Sequence, residues 1–264
     1  MSIQRQFSGY NQSDFINNVD QISGISFFKL AKSNTQFNNF IPAGLRLGNR
    51  VEQFIFHQLE EIGFDIILKN FQVISDKLTI GEIDCIASKE KVTYHFEIVY
   101  KFYLYDNKVG TSKLDHWIGP NRKDSLVEKL DKLNSKQLPL LTHPILEQEL
   151  KSRQLETKNI IQSVIFKAQL FTPFQSKNIN FETINQNCVS GFYINFKKMD
   201  EFAKSKFFIP EKLDWLIDCH EDKEWIAIAE FKKAIVKFIK NDKSPLCWIK
   251  NEDGTMCKFF VTWW

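Results

Sequence analysis

The chain has 264 residues, 43% hydrophobic and 14% aromatic, with 25 phenylalanines; that is ample material for a buried core and too apolar for a disordered chain. A formal net charge of +3 and a pI of about 8.4 make a mild basic excess, compatible with a nucleic-acid partner without requiring one. No stretch approaches the roughly 18–20 uninterrupted apolar residues of a membrane span, and MSIQRQFSGYNQSDF lacks a charged-then-apolar leader pattern, so no membrane segment is expected and a cytoplasmic location is.

Residues 1–45 are rich in Asn, Gln and Ser and read as an N-terminal appendage, with a short apolar stretch at 25–30 and a break at Pro42-Ala43-Gly44. Residues 48–63 predict an amphipathic helix, because Val51, Ile55, Leu59 and Ile62 recur at helical spacing and Gly63 is a stop. Three β-branched and aromatic runs then predict strands, a short one at 71–75 and longer ones at 78–88 and 92–105. After the loop TSKLDHWIGPN, Asn121 can cap a second helix that runs through 134–137, with Asp124 in its first turn and Leu126, Leu130 and Leu133 as its apolar stripe. Strands follow at 163–171 and 191–196, and Asp253-Gly254 marks the turn of a terminal hairpin. No repeat or linker divides the chain. It reads as one domain, a core at 46–171 and a mixed extension at 172–264, in an α/β or α+β arrangement with helices against a central sheet.

The cysteines, Cys85, Cys188, Cys219, Cys247 and Cys257, show no CxxC spacing and read as small buried hydrophobes in a reducing compartment. Cys219-His220 stands alone without partners at ligand spacing, so no zinc site is expected.

Side chains alternate across a strand. In 92–105, Glu97, Val99, Lys101 and Tyr103 share one face; in 78–88, Glu82 and Asp84 share a face while Ile83, Cys85 and Ala87 take the other. If the two strands form a hairpin, Asp84 and Glu97 sit close. Two carboxylates forced together need a cation, or one must hold a proton. A hard ion such as Mg²⁺ suits them, since it binds through one or two carboxylates and keeps several waters. Lys101 then has a role in orienting water or neutralising phosphate charge. From the residues alone, an ordinary ion pair of Asp84, Glu97 and Lys101 on a solvent-facing sheet is the commoner outcome. Gln137 continues the stripe of the second helix, so its amide should face the sheet and needs partners there; the alternative is a fraying helix end. Basic residues at 113–136 (Lys113, Arg122, Lys123, Lys129, Lys132, Lys136), with His116 and Trp117, would suit a nucleic-acid backbone and stacked bases. Interleaved Asp115, Asp124, Glu128 and Asp131 favour a solvated mixed-charge face. Phosphate-loop, GxGxxG, GxSxG and HExxH motifs are absent from the sequence, which argues against nucleotide-hydrolysing, dinucleotide-binding, serine-hydrolase and zinc-protease chemistry.

The runs LGNRVEQF (47–54), TIGEIDCIA (79–87), HFEIVYKFYL (95–104) and WIGPNRKDSLVEKLDKLNSKQLPLL (117–141) carry a resemblance, with weaker echoes in GFYINF (191–196), PEKLDWL (210–216) and KFFVTWW (258–264). Over about 45–264 the chain resembles the bacterial family called domain of unknown function 1853, grouped in the PD-(D/E)XK nuclease-like superfamily. The resemblance implies a restriction-endonuclease-like α/β core, a central mixed sheet flanked by helices, with a C-terminal extension ending in a β-hairpin. It implies Glu52 as the acid of the first helix, Asp84 as the metal-binding aspartate and Glu97 as the acid of the (D/E)XK pair. It further implies the Ile98 carbonyl as an added ligand and Gln137 as the helix glutamine near the metal. The sequence departs from the pattern at the lysine. Its usual place is Val99; Lys101 lies on the same face, one strand repeat or roughly 6.5–7 Å further on. The implied activity is a Mg²⁺- or Mn²⁺-dependent phosphodiesterase on DNA or RNA. The displaced lysine motivates the alternative, a nuclease-fold module that binds nucleic acid or a protein partner without cutting. A metal-dependent enzyme on another phosphate-containing substrate is a third possibility.

Overall fold

The structure, a computed structural model, describes residues 2–176 and 179–264. In chain order it has helix α1 (Ile3–Gln12), two-residue strands β1 (Gln21–Ile22) and β2 (Ile25–Ser26), helix α2 (Leu47–Glu61), and strands β3 (Asp65–Ser75), β4 (Leu78–Lys89) and β5 (Val92–Tyr105). Then come β6 (Trp117–Ile118), α3 (Leu126–Lys132), α4 (Pro144–Ser152), β7 (Ile160–Pro173), β8 (Val189–Asn195), β9 (Lys206–Phe208), β10 (Ile226–Ala227), α5 (Ile228–Ile239), β11 (Leu246–Lys250) and β12 (Met256–Thr262). These form two compact units. One comprises Phe15–Tyr100 and Glu128–Lys167, the other Met1–Asp14, Lys101–Val127 and Ala168–Trp264, so β5 and β7 each contribute residues to both.

The unit built on Phe15–Tyr100 has the strand order β3-β4-β5-β7, with β3, β4 and β5 antiparallel. Asp76-Lys77 and Glu90-Lys91 make the two tight turns, all four residues in the left-handed region as a type I′ hairpin turn requires. β3 is longer than the expected 71–75. Register shifts between Ile66 and Leu68 and between Val73 and Ile74 break the alternation that would have revealed its first half. Leu68, Val73, Ile83 and Ile86 pack with Leu146 and Leu150 of α4 and with Leu140 and Leu141. Val51, Ile55 and Leu59 of α2 are fully buried, as their spacing predicts, whereas Ile62, just past the end of the helix, is only partly buried; Phe54 is buried as well, and α2 packs on β3. Part of the expected N-terminal appendage is built into this unit. Ile16 N donates to the Phe166 carbonyl at 3.0 Å and Phe28 N to that of Val164 at 2.9 Å, so the segment runs along β7.

In the other unit the order is β7-β8-β12-β11-β9-β10. β8 is parallel to both β7 and β12, and the remaining pairs are antiparallel, which makes this sheet mixed. Phe231 and Ile235 of α5 pack with Phe207, Ile249 and Phe259. The terminal hairpin turns at Gly254, φ 85°, as Asp253-Gly254 predicts.

The second helix differs from expectation. Asn121 is not its cap; the Asn121 Oδ1 accepts from Ser244 N at 2.7 Å, and the helix starts at Leu126. It becomes a π-helical turn at Leu133–Gln137 and a 3₁₀ turn at Leu138–Thr142. Pro139 has no N–H and cannot continue an α-helical ladder, which explains the change of winding.

Two glycines provide a test of opposite signs. A Cβ at Gly191 would lie 1.9 Å from the backbone oxygen of Lys258 on the neighbouring strand, whereas one at Gly48 in α2 meets nothing within 4 Å. In urea unfolding, Gly191→Ala should destabilise by about 1–3 kcal/mol or more. Gly48→Ala should be stabilising by up to about 1 kcal/mol.

Candidate active site

The site lies where β4 and β5 part. Their ladder runs from Lys89 opposite Val92 to Cys85 opposite Phe96. The next step of that register faces Asp84 with Glu97, and here the Asp84 Oδ2 accepts the Ile98 N–H at 2.8 Å. A side chain thus takes a backbone donor at the fork. On the other side of β4, Lys69 faces Cys85 and Phe71 faces Ile83, so Asn70 lies across from Asp84. Asn70 has φ 49°, a left-handed conformation that asparagine tolerates better than most residues. Ile83 and Ile86 belong to one core, so the simple alternation of β4, with Ile83 and Cys85 on one face, is interrupted opposite Asn70.

Asn70 ties two further acids to the site. Its Nδ2 donates to Glu52 Oε2 at 2.7 Å and to Glu82 Oε1 at 3.4 Å. Glu52 therefore leans from α2 onto the sheet.

Glu97 is 0% exposed, and each of its oxygens is held. Gln137 Nε2 donates to Oε2 at 2.5 Å, so the expected inward-facing amide of the second helix is present. His95 Nε2 lies 3.1 Å from Oε1. The imidazole tautomer follows from its neighbour. Gln162 Nε2 donates to the Leu138 carbonyl at 2.6 Å, which fixes the nitrogen end of that amide, and the same nitrogen lies 3.1 Å from His95 Nδ1. Nδ1 is then an acceptor, and the His95 proton resides on Nε2 and is donated to Glu97. Burial pushes His95 down to about 4, so this contact joins a neutral imidazole to the carboxyl group.

Three acids are held far above the usual carboxylate range, each at about 7. For Asp84 the main cause is burial, followed by repulsion from Glu97; the Ile98 N–H and the Lys129 charge act the other way. For Glu97 it is burial, opposed by Lys129 and by hydrogen bonding with Asp84. For Glu52 it is burial, then the charge of Asp84, opposed by the Asn70 hydrogen bond.

The structure brings together Glu52, Asp84, Glu97 and Gln137, and places the N–H of Ile98 on Asp84. Lys101 belongs to the other unit, where its Nζ donates to Asp124 Oδ2 at 2.6 Å. Three residues of the site escape the sequence reading, Asn70, His95 and Gln162, and Lys129 reads there only as one of the basic residues of 113–136. Strand alternation does place His95 on the face of Glu97, two residues away. Asn70 and Gln162 carry no sequence signal.

Among the described residues, no group of three or more His, Cys, Asp or Glu side chains converges as a metal cage. The donor set is a pair of close carboxylates, which fits a hard divalent ion that keeps part of its water shell better than it fits zinc. The 113–136 segment offers little for base stacking. Trp117 is 1% exposed, and the Arg122 guanidinium pairs with Asp106 at 2.8 Å and lies 4.4 Å over the Trp264 ring. No helix among the described residues is long and apolar enough to cross a membrane.

Fold and site together define an α/β protein with a buried glutamate and a half-buried aspartate paired at a fork in its sheet. The chain matches the family described as domain of unknown function (DUF1853) over residues 11–258, and it belongs to that family. No curated protein and no solved structure matches it.

The raised acids set the sign of a pH dependence. In metal-free protein the folded state keeps these protons up to about pH 7, whereas ordinary values are 3.8 for Asp and 4.5 for Glu. Their contribution to stability is complete below the ordinary values and is lost as pH rises through 7. Urea unfolding in EDTA should show lower stability at pH 8 than at pH 5. Asp84→Asn and Glu97→Gln should each shrink that difference, and an undiminished difference in both would contradict the assignment.

Proposed function

We propose that this chain is a Mg²⁺- or Mn²⁺-dependent phosphodiesterase of the PD-(D/E)XK type, acting on DNA or RNA. The observation that carries the reading is the pairing of half-buried Asp84 with buried Glu97 at the fork between β4 and β5. Asp84 and Glu97, with the Ile98 carbonyl, would hold the ion. Bound there, a divalent ion supplies a nucleophilic hydroxide from its water and polarises a phosphoryl oxygen. The protein's own groups do the positioning. His95 and Gln137 leave the Glu97 carboxylate no freedom to rotate, and the Ile98 N–H does the same for Asp84. Glu52, reached through Asn70, accepts or releases a proton at the margin of the site. In the hydrolysis a water oxygen bonds to phosphorus, the phosphorus–ester bond breaks, and the departing oxygen takes up a proton.

A second reading, a nuclease-fold module that binds nucleic acid or a protein without cutting, draws on Val99 in the usual lysine place and on the engagement of Lys101 by Asp124.

Cleavage of labelled DNA and RNA in Mg²⁺ and Mn²⁺ separates the two. The first reading expects turnover that EDTA abolishes and that Glu97→Ala or Asp84→Ala reduces by about 10²-fold or more. Equal cleavage by wild type and Glu97→Ala would sink it; salt-sensitive binding without turnover favours the second.

A further inference from the structure

A phosphodiester site of this kind needs a cation besides the metal, to meet the charge that develops on the phosphoryl oxygens. Lys101 is the strand lysine, and Asp124 binds its ammonium. A different lysine joins the carboxylates. Lys129 Nζ donates to Gln137 Oε1 at 2.6 Å, and the amide nitrogen of the same Gln137 donates to Glu97 Oε2. Ammonium, amide and carboxylate thus form one continuous chain. The side chain is half-buried, close enough to act on the acids and open enough to meet a ligand.

The winding of the helix explains how Lys129 arrives there. Lys129 and Gln137 are eight residues apart. In a regular α-helix that separation leaves them roughly 80° apart around the axis. The wider π-helical turn at Leu133–Gln137 takes up the difference and sets both on the face toward Glu97.

We propose that Lys129, delivered by the helix, supplies the ammonium of this site in place of a strand lysine, and that it contacts a phosphate oxygen of the bound nucleic acid. The proposal rests on the phosphodiesterase reading above. In its light the valine at position 99 is no defect, because the cation enters from another element.

The test compares Lys129→Met, Lys129→Arg, Glu97→Ala and the exposed control Lys158→Met with wild type. It measures cleavage in Mg²⁺ and Mn²⁺ and, independently of turnover, the salt dependence of labelled-DNA binding in Ca²⁺ by fluorescence anisotropy. Lys129→Met should lose about 10²-fold in cleavage. It should also lower the slope of log affinity against log salt by about one. Lys129→Arg should recover part of both, and Lys158→Met should behave as wild type. Should Lys129→Met fail to fold, Lys129→Gln, which keeps a donor for Gln137 without the charge, carries the same comparison. Cleavage that requires Glu97 but survives the loss of the Lys129 charge, with an unchanged salt slope, overturns the lysine assignment alone. Cleavage by Glu97→Ala equal to wild type overturns the functional reading and this assignment with it.

Discussion

A fully buried Glu97 beside a half-buried Asp84 is the constraint on which the rest of the site depends. Neither Asp84 nor Glu97 can shed its charge problem by moving, since each is tied by hydrogen bonds to fixed groups. Without a cation each acid answers the cost of a charge held away from water by keeping a proton to about 7, with repulsion from Glu97 a secondary cause at Asp84 alone. A divalent ion would relieve it by replacing that proton. The arrangement is costly to stability in the first state and would be favourable in the second, and strongly perturbed acids of this kind cluster at functional sites.

The surrounding fold keeps that pair in place by departing from regularity at each point of contact. β4 and β5 stop pairing at the level of the acids. β3 carries a left-handed asparagine opposite Asp84, and that residue reaches Glu52 and Glu82. The second helix widens to a π turn and then tightens before Pro139, so that Gln137 and Lys129 share a face. Regular strands and a regular helix would each have sent these groups elsewhere. Irregularities of this kind concentrate at functional sites because packing around them must over-determine them.

This pattern also explains which parts of the molecule the sequence reveals. Strand β5 and helix α2 are regular and strongly patterned, and their bounds and buried faces are legible from spacing alone. The closeness of Asp84 and Glu97 is legible too, on the condition that the two strands pair as a hairpin, which they do. Gln137 is visible as a polar residue continuing an apolar stripe. The first half of β3 is hidden by its register shifts, and Asn70 by a backbone conformation that no local motif announces. Lys129 is hidden by the π turn, since at α-helical spacing it belongs with the solvated charges of its helix. Lys101 presents the opposite case. It satisfies the strand pattern, yet Asp124, whose expected place was the first turn of the second helix, binds it instead. The partners of both lysines, Asp124 for Lys101 and Gln137 for Lys129, are fixed only in three dimensions.

Direct ion binding tests the central claim that Asp84 and Glu97 form a divalent-cation site. Isothermal titration of metal-free protein with Mn²⁺ near pH 6.5, in two buffers of different ionisation enthalpy, reads both stoichiometry and proton release. The account predicts one ion per chain, bound with release of protons, and loss of both signals in Asp84→Asn and in Glu97→Gln proteins that remain folded. Absence of binding by the wild type, or binding unchanged in both variants, would contradict it.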